Sequence, residues 1–245
     1  LVVGAVADRF GIPIVFRIYV GLALGVAILA LVMPRRGAPR SASRERHFAE
    51  GLRAVAANRS YLALLASTFI AFVGFRAAMT FLPLLLDSVG GSLSDVGLAH
   101  SVAAVSEVPF LFLSGVLLRR VRGPGLIAGL LTLMAARLFG YSLLGSAPAV
   151  LVLQLSHGVT FGLFLAATVD YIDTIAPAAH RSFFQAIAPS VFFGLGSIVG
   201  SWVGGIAIEA FSVTWVYRAA ALLSVAGAAG MLLIVRGRPD TVASP

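Results

Sequence analysis

Seven stretches of this 245-residue chain are long and apolar enough to cross a lipid bilayer, and that feature decides most of what the chain can become. They occupy residues 12–33, 61–86, 96–118, 125–144, 149–172, 183–208 and 213–235. A spanning helix needs about 20 mostly apolar residues, because lipid offers no partner to an unpaired backbone N–H or C=O. The period-2 alternation of a membrane β-strand is missing. The expected fold class is therefore all-α and integral to the membrane, with seven transmembrane helices. Composition agrees. Charged residues make up 11% of the chain and mean hydropathy is +0.99, whereas a soluble domain carries roughly 25% charge.

Every basic side chain is an arginine, and the arginines set the orientation. Seven lie between Arg35 and Arg59, Arg119, Arg120 and Arg122 follow the third segment, Arg181 precedes the sixth, and Arg236 and Arg238 follow the seventh. In a seven-helix zigzag all of these fall on one side. The other side carries Arg9 with Asp8, Asp87, Asp95 and Glu209. Loops rich in Lys and Arg stay in the cytoplasm, so the central loop and the C-terminal tail are expected there, in a multi-pass protein of the inner (plasma) membrane. The formal charge of +8 is thus spent on topology, and no nucleic-acid partner is expected. The chain has no cysteine, so it offers neither a disulfide framework nor a thiolate metal site.

The organisation follows from a repeat. VVGAVADRFGIPIVFR near the start is similar to WVGGIAIEAFSVTWVYR, 201 residues later. Val2 then meets Val203, Gly4 meets Gly205, Asp8 meets Glu209, and Val15-Phe16-Arg17 meets Val216-Tyr217-Arg218. Six helices and one loop fill such an interval. The expectation is that residues 1–34 end a first half with its last helix, and that residues 35–60 form a cytoplasmic central loop whose later part is an interfacial helix. Residues 61–236 would be a complete six-helix second half, and residues 237–245 a tail. The rest of the first half would lie outside this sequence and act as a partner. Parallel duplication is one known plan for secondary transporters.

Polar residues inside the apolar segments mark the candidate site. A charge at mid-membrane costs roughly 2.5–3.5 kcal/mol on translocon scales, so such residues persist where they pair or line a water-filled path. Arg76, Glu107, Arg137 and His157 are of this kind. Gln154, His157, Phe161, Phe164 and Thr168 recur at helical spacing, with Thr160 beside them. Arg17 and Arg218, near helix ends, are expected to snorkel to water. Gly196, Gly200 and Gly204, spaced by four, read as a helix-packing edge.

The loop GAVADRFG resembles the signature of the major facilitator superfamily, and SGVLLRRVRG resembles a degenerate second copy. SEVPFLFLSGVLLRR, MAARLFGYS and LQLSHGVTFGLFLAATVDYI are similar to the branch that holds lactose permease, the nucleoside:proton symporters and the phenylpropionate permease. There a glutamate, an arginine and a histidine on the eighth, ninth and tenth helices form the polar centre, and Glu107, Arg137 and His157 match them. Thr160 stands where lactose permease has its proton-carrying glutamate, and Gln154 replaces a lysine. The lactose mechanism itself is therefore not implied.

The resemblance implies a secondary active transporter, not an enzyme, working by alternating access on a small polar or aromatic solute and on protons. No cofactor and no metal is expected. Glu107, Arg137 and His157 are the expected proton-coupling residues. Arg76, Gln154, His157, Thr160, Phe161 and Phe164 are the expected substrate-binding residues. Burial favours a protonated carboxyl and a nearby arginine favours the ionised form, so a Glu107–Arg137 contact that forms and breaks would load and release a proton. The alternatives are an exporter of drugs or metabolites with the same fold, and a non-transporting membrane sensor.

Overall fold

A computed structural model describes residues 12–32, 41–121 and 123–236. The GAVADRFG loop, the first copy of the repeat before Ile12 and the C-terminal tail lie outside the described residues. The described chain is helical. Its helices are α1 (Ile12–Val32), α2 (Ser41–Ala57), α3 (Arg59–Thr80), α4 (Leu82–Ser88), α5 (Leu93–Arg120), α6 (Pro124–Tyr141), α7 (Ala147–Gln154), α8 (Leu163–Ile175), α9 (Arg181–Pro189), α10 (Gly196–Ala210) and α11 (Val213–Arg236). Among the described residues six helical runs are long and apolar enough to cross a membrane: α3, α5, α6, α7 through α8, the run containing α9 and α10, and α11. They correspond to the second through seventh apolar segments. The first segment is α1, whose side chains are exposed on every side from Phe16 to Val32. Its apolar run Phe16–Val32 is shorter than the other six.

Proline and π-helical turns divide segments that read as continuous in the sequence. α3 stops at Thr80 and α4 restarts with Pro83 in its first turn. Proline has no N–H and its ring crowds the carbonyl four residues back, so it suits a helix start better than an interior. A π-helical turn, Gly158–Gly162, separates α7 from α8, and a second one, Ser190–Leu195, comes after Pro189. α5 starts sharply. Ser92 Oγ accepts the Asp95 N–H at 3.2 Å while Asp95 Oδ2 accepts the Ser92 N–H at 2.7 Å, which satisfies two of the free donors at a helix start.

The bundle packs α3 against α11 and α10, α11 against α6, and the α7–α8 run against α5 and α6. The glycine edge of α10 faces α3. A Cβ on Gly200 would collide with Val73 O and lie 3.2 Å from Arg76 Cβ, and one on Gly204 would lie 2.8 Å from the Phe81 ring. Gly205 differs, since its Cβ would sit 3.8 Å from Phe81 Cζ. Gly200→Val should therefore cost about 1–3 kcal/mol through overpacking, while Gly205→Ala should be close to neutral. Unfolding midpoints in detergent check this, and equal midpoints for the two variants would contradict it.

Within residues 35–60 the chain forms the helix α2, and it is anchored. Phe48 meets Phe183 edge-on at 5.5 Å, and a Cβ on Gly51 would lie 2.8 Å from the Phe183 ring. Asn58 joins three elements. Its Oδ1 accepts the Tyr61 N–H at 3.0 Å and its Nδ2 donates to Ile175 O at 2.8 Å. Tyr61 Oη donates to Phe184 O at 2.6 Å. The α2–α3 junction is thus tied to the turn between α8 and α9.

Candidate functional site

The site forms where α5 meets the π-helical turn. Gly158 makes the approach possible. Any Cβ there would run into the Ser106 carbonyl and the Phe110 ring. The Gly158 N–H donates to Ser106 Oγ at 2.9 Å, and that hydroxyl donates to Ala103 O at 2.7 Å. Gly162, one turn on, would place a Cβ 3.4 Å from Glu107 Cγ. The two glycines leave room for α5 and so bring Glu107 beside His157.

His157 Nε2 lies 3.1 Å from Glu107 Oε1. The histidine side chain is 9% exposed and the glutamate 24%. In this conformation Glu107 contacts His157, and among the described residues no ion pair joins it to Arg137. The Gly158–Ser106 contact holds α5 against the turn that carries His157.

Arg137 is buried and held on other groups. Its Nη1 donates to Thr160 Oγ1 at 2.5 Å, and its guanidinium carbon lies 5.7 Å from the Phe75 ring centroid and 5.8 Å from that of Tyr141. Thr160 Oγ1 in turn donates to Ser156 O at 2.9 Å. One hydroxyl thus joins the arginine to the distorted turn. Thr160→Val keeps the shape and removes the acceptor. It should cost about 1–3 kcal/mol by leaving a buried donor unmatched, and Thr160→Ser should restore stability. Thermal unfolding of the three proteins decides this, and an unchanged midpoint for the valine variant would refute it.

The other expected residues take distinct places. Gln154 is buried, and its Oε1 accepts from Tyr141 Oη at 2.5 Å. Phe161 is half-buried, its ring 4.9 Å from that of His157 and stacked on Phe75 at 5.3 Å. Phe164 lies in the core, between Phe72 at 5.2 Å and Phe192 at 6.2 Å. Arg76 stands toward α10, where its Nε donates to Ser197 Oγ at 2.7 Å. The structure thus brings Glu107, His157 and Phe161 together, joins Arg137 to Thr160, and puts Arg76 on a separate contact. Sequence reasoning missed Ser106, Gly158, Phe75 and Tyr141. The available signal was GVTFG, Gly158 to Gly162, a glycine pair spaced by four that marks close helix approach.

Comparison with known proteins gives the chain its relatives. It is 28% identical over 238 residues to a maltose permease of Geobacillus stearothermophilus, covering 96% of this chain and 59% of that protein. It is 28% identical over 185 residues to the uncharacterized transporter YwbF of Bacillus subtilis (strain 168), covering 73% of this chain and 45% of the relative. A human major facilitator superfamily domain-containing protein 6-like is 28% identical over 182 residues, covering 73% of this chain and 31% of that protein. The chain thus spans about half the length of the two bacterial relatives. Among the described residues six helical runs are long and apolar enough to cross a membrane and buried polar side chains lie between them, the MFS_1 like family matches residues 1–219, and this chain belongs to that family, within the major facilitator superfamily.

Proposed function

We propose that the chain is part of a secondary active transporter that couples a small polar or aromatic organic solute to protons by alternating access. It is not an enzyme in this reading. The arginine-rich side, with the central loop and the tail, faces the cytoplasm. The observation that carries the proposal is the 3.1 Å contact of Glu107 with His157 on spanning helices. At that spacing a single proton serves both groups. Either the imidazole N–H donates to the carboxylate or the carboxyl O–H donates to the ring nitrogen. Gaining or losing that proton changes the charge at this depth, and charge is what a membrane interior penalises. A conformational change that alternately wets and closes the site would load and release it.

Solute binding is assigned to the half-buried surface beside this pair, where Phe161 offers a ring face. Gln154, Thr160 and Phe164 hold the wall behind it. A midplane site between two halves is the general plan of such folds. The relative called a maltose permease is in keeping with a polar organic solute. Arg76 supports a preference for acids. It spends Nε on Ser197, and its terminal nitrogens have no protein partner among the described residues. With Arg137 it gives two cations against Glu107, and an anionic solute would offset the excess. Arg76→Gln in the full-length protein should weaken transport of a carboxylic acid more than tenfold relative to its neutral amide, because a charge-assisted pair is lost only for the acid, at about 1.5–3 kcal/mol. Equal losses would remove Arg76 from substrate binding. The transport reading itself is tested by uptake of a solute panel into vesicles with and without an imposed proton gradient. Accumulation that survives collapse of the gradient would overturn proton coupling.

A further inference from the structure

A groove of about 500 Å³ runs between α3 and α11, starting at the arginine-rich end of α3. Ala63, Ala66 and Ile70 form one wall, Ala226 and Gly230 the other, and Arg59 stands at the mouth. The depth comes from small side chains at a close crossing. A Cβ on Gly227 would lie 2.5 Å from Ser67 O and 2.9 Å from Ala71 Cβ. On the far side of Arg59 a second hollow, of about 490 Å³, is lined by Ala57, Asn58, Ser60 and Pro177.

Arg59 is exposed, and among the described residues no carboxylate pairs with it. An uncompensated cation therefore sits at the rim of an apolar trough cut into two membrane-spanning helices. From Arg59 to Ile70 the helix rises about 16 Å, close to half of the ~30 Å hydrocarbon core. The trough thus has the length of one leaflet, with its cation at the headgroup end. Basic hollows between spanning helices are sites where anionic headgroups bind.

We infer that this groove binds an anionic glycerophospholipid, its headgroup phosphate on Arg59 and one acyl chain along α3 and α11. A soluble anion would use the arginine and leave the trough unfilled, whereas a lipid uses both. The inference does not depend on transport.

The test is lipid retention by the full-length protein, read by native mass spectrometry with phosphatidylglycerol and phosphatidylcholine of identical chains. The wild type should retain phosphatidylglycerol about fivefold better, the effect of one arginine near an anionic headgroup. Arg59→Gln should erase that preference. Ala66→Trp, at an exposed wall position, should lower retention of both lipids without moving the unfolding midpoint. The soluble headgroup glycerophosphoglycerol should not compete. Equal retention of the two lipids by the wild type would overturn the inference. So would unchanged retention in Ala66→Trp, the result expected if another part of the chain fills the groove. Competition by the headgroup alone would overturn it too, by reducing the site to a surface charge.

Discussion

In the full-length protein Glu107→Gln should reduce solute accumulation to about the ratio reached by simple equilibration, since a carrier without a coupling proton cannot bias its own equilibrium. Exchange of solute across the membrane should continue. Glutamine keeps the volume of the glutamate and can still donate to or accept from His157 Nε2 at the observed 3.1 Å. What it cannot do is gain and lose a proton in the working pH range. The two readouts separate coupling from structure. Loss of both accumulation and exchange would mean that Glu107 shapes the cavity. Retention of both would place the coupling proton elsewhere.

Gly158→Ala should be the most damaging single methyl in this part of the fold. The added Cβ has nowhere to go, with the Ser106 carbonyl in its path and Phe110 Cδ2 at 2.7 Å. Overpacking of this kind costs about 1–3 kcal/mol. Here it also lifts α5 off the turn, strains the Gly158 N–H to Ser106 Oγ bond and separates Glu107 from His157. Stability and coupled uptake should fall together. Gly162→Ala is the control. Its Cβ would lie 3.4 Å from Glu107 Cγ, a spacing at which a small shift suffices. Unfolding midpoints and uptake of the two variants, measured side by side, check the comparison, and similar outcomes would contradict the account of this contact.

The membrane-spanning runs are legible in the sequence because lipid imposes a length. Among the described residues six of the seven apolar segments form helices long and apolar enough to cross a membrane, and α2 forms within residues 35–60. The glycine edge is legible for a similar reason, since a spacing of four puts Gly196, Gly200 and Gly204 on one side of one helix. Polar residues in the segments are legible because each carries an energetic cost.

Their partners are not. Which groups meet depends on how helices are rotated against each other, and a π-helical turn changes that rotation. Each residue of an α-helix advances about 100°, so one extra residue in the Gly158–Gly162 turn re-aims every side chain beyond it. Phe161 and Phe164, placed together by regular spacing, both pack on Phe72, the first half-buried and the second in the core. Thr160, which stands in the sequence where lactose permease has its glutamate, is the acceptor for Arg137. The Glu107–His157 contact rests on Gly158, a residue whose role is visible only once its neighbour across the helix interface is known.

The most direct test of proton coupling is solute-induced proton movement in vesicles that contain the full-length protein, monitored with a pH-sensitive dye and no imposed gradient. The account predicts that adding a transported solute drives protons across the membrane, and that Glu107→Gln silences the signal while solute exchange continues. Solute uptake by the wild type with no accompanying proton movement would contradict it.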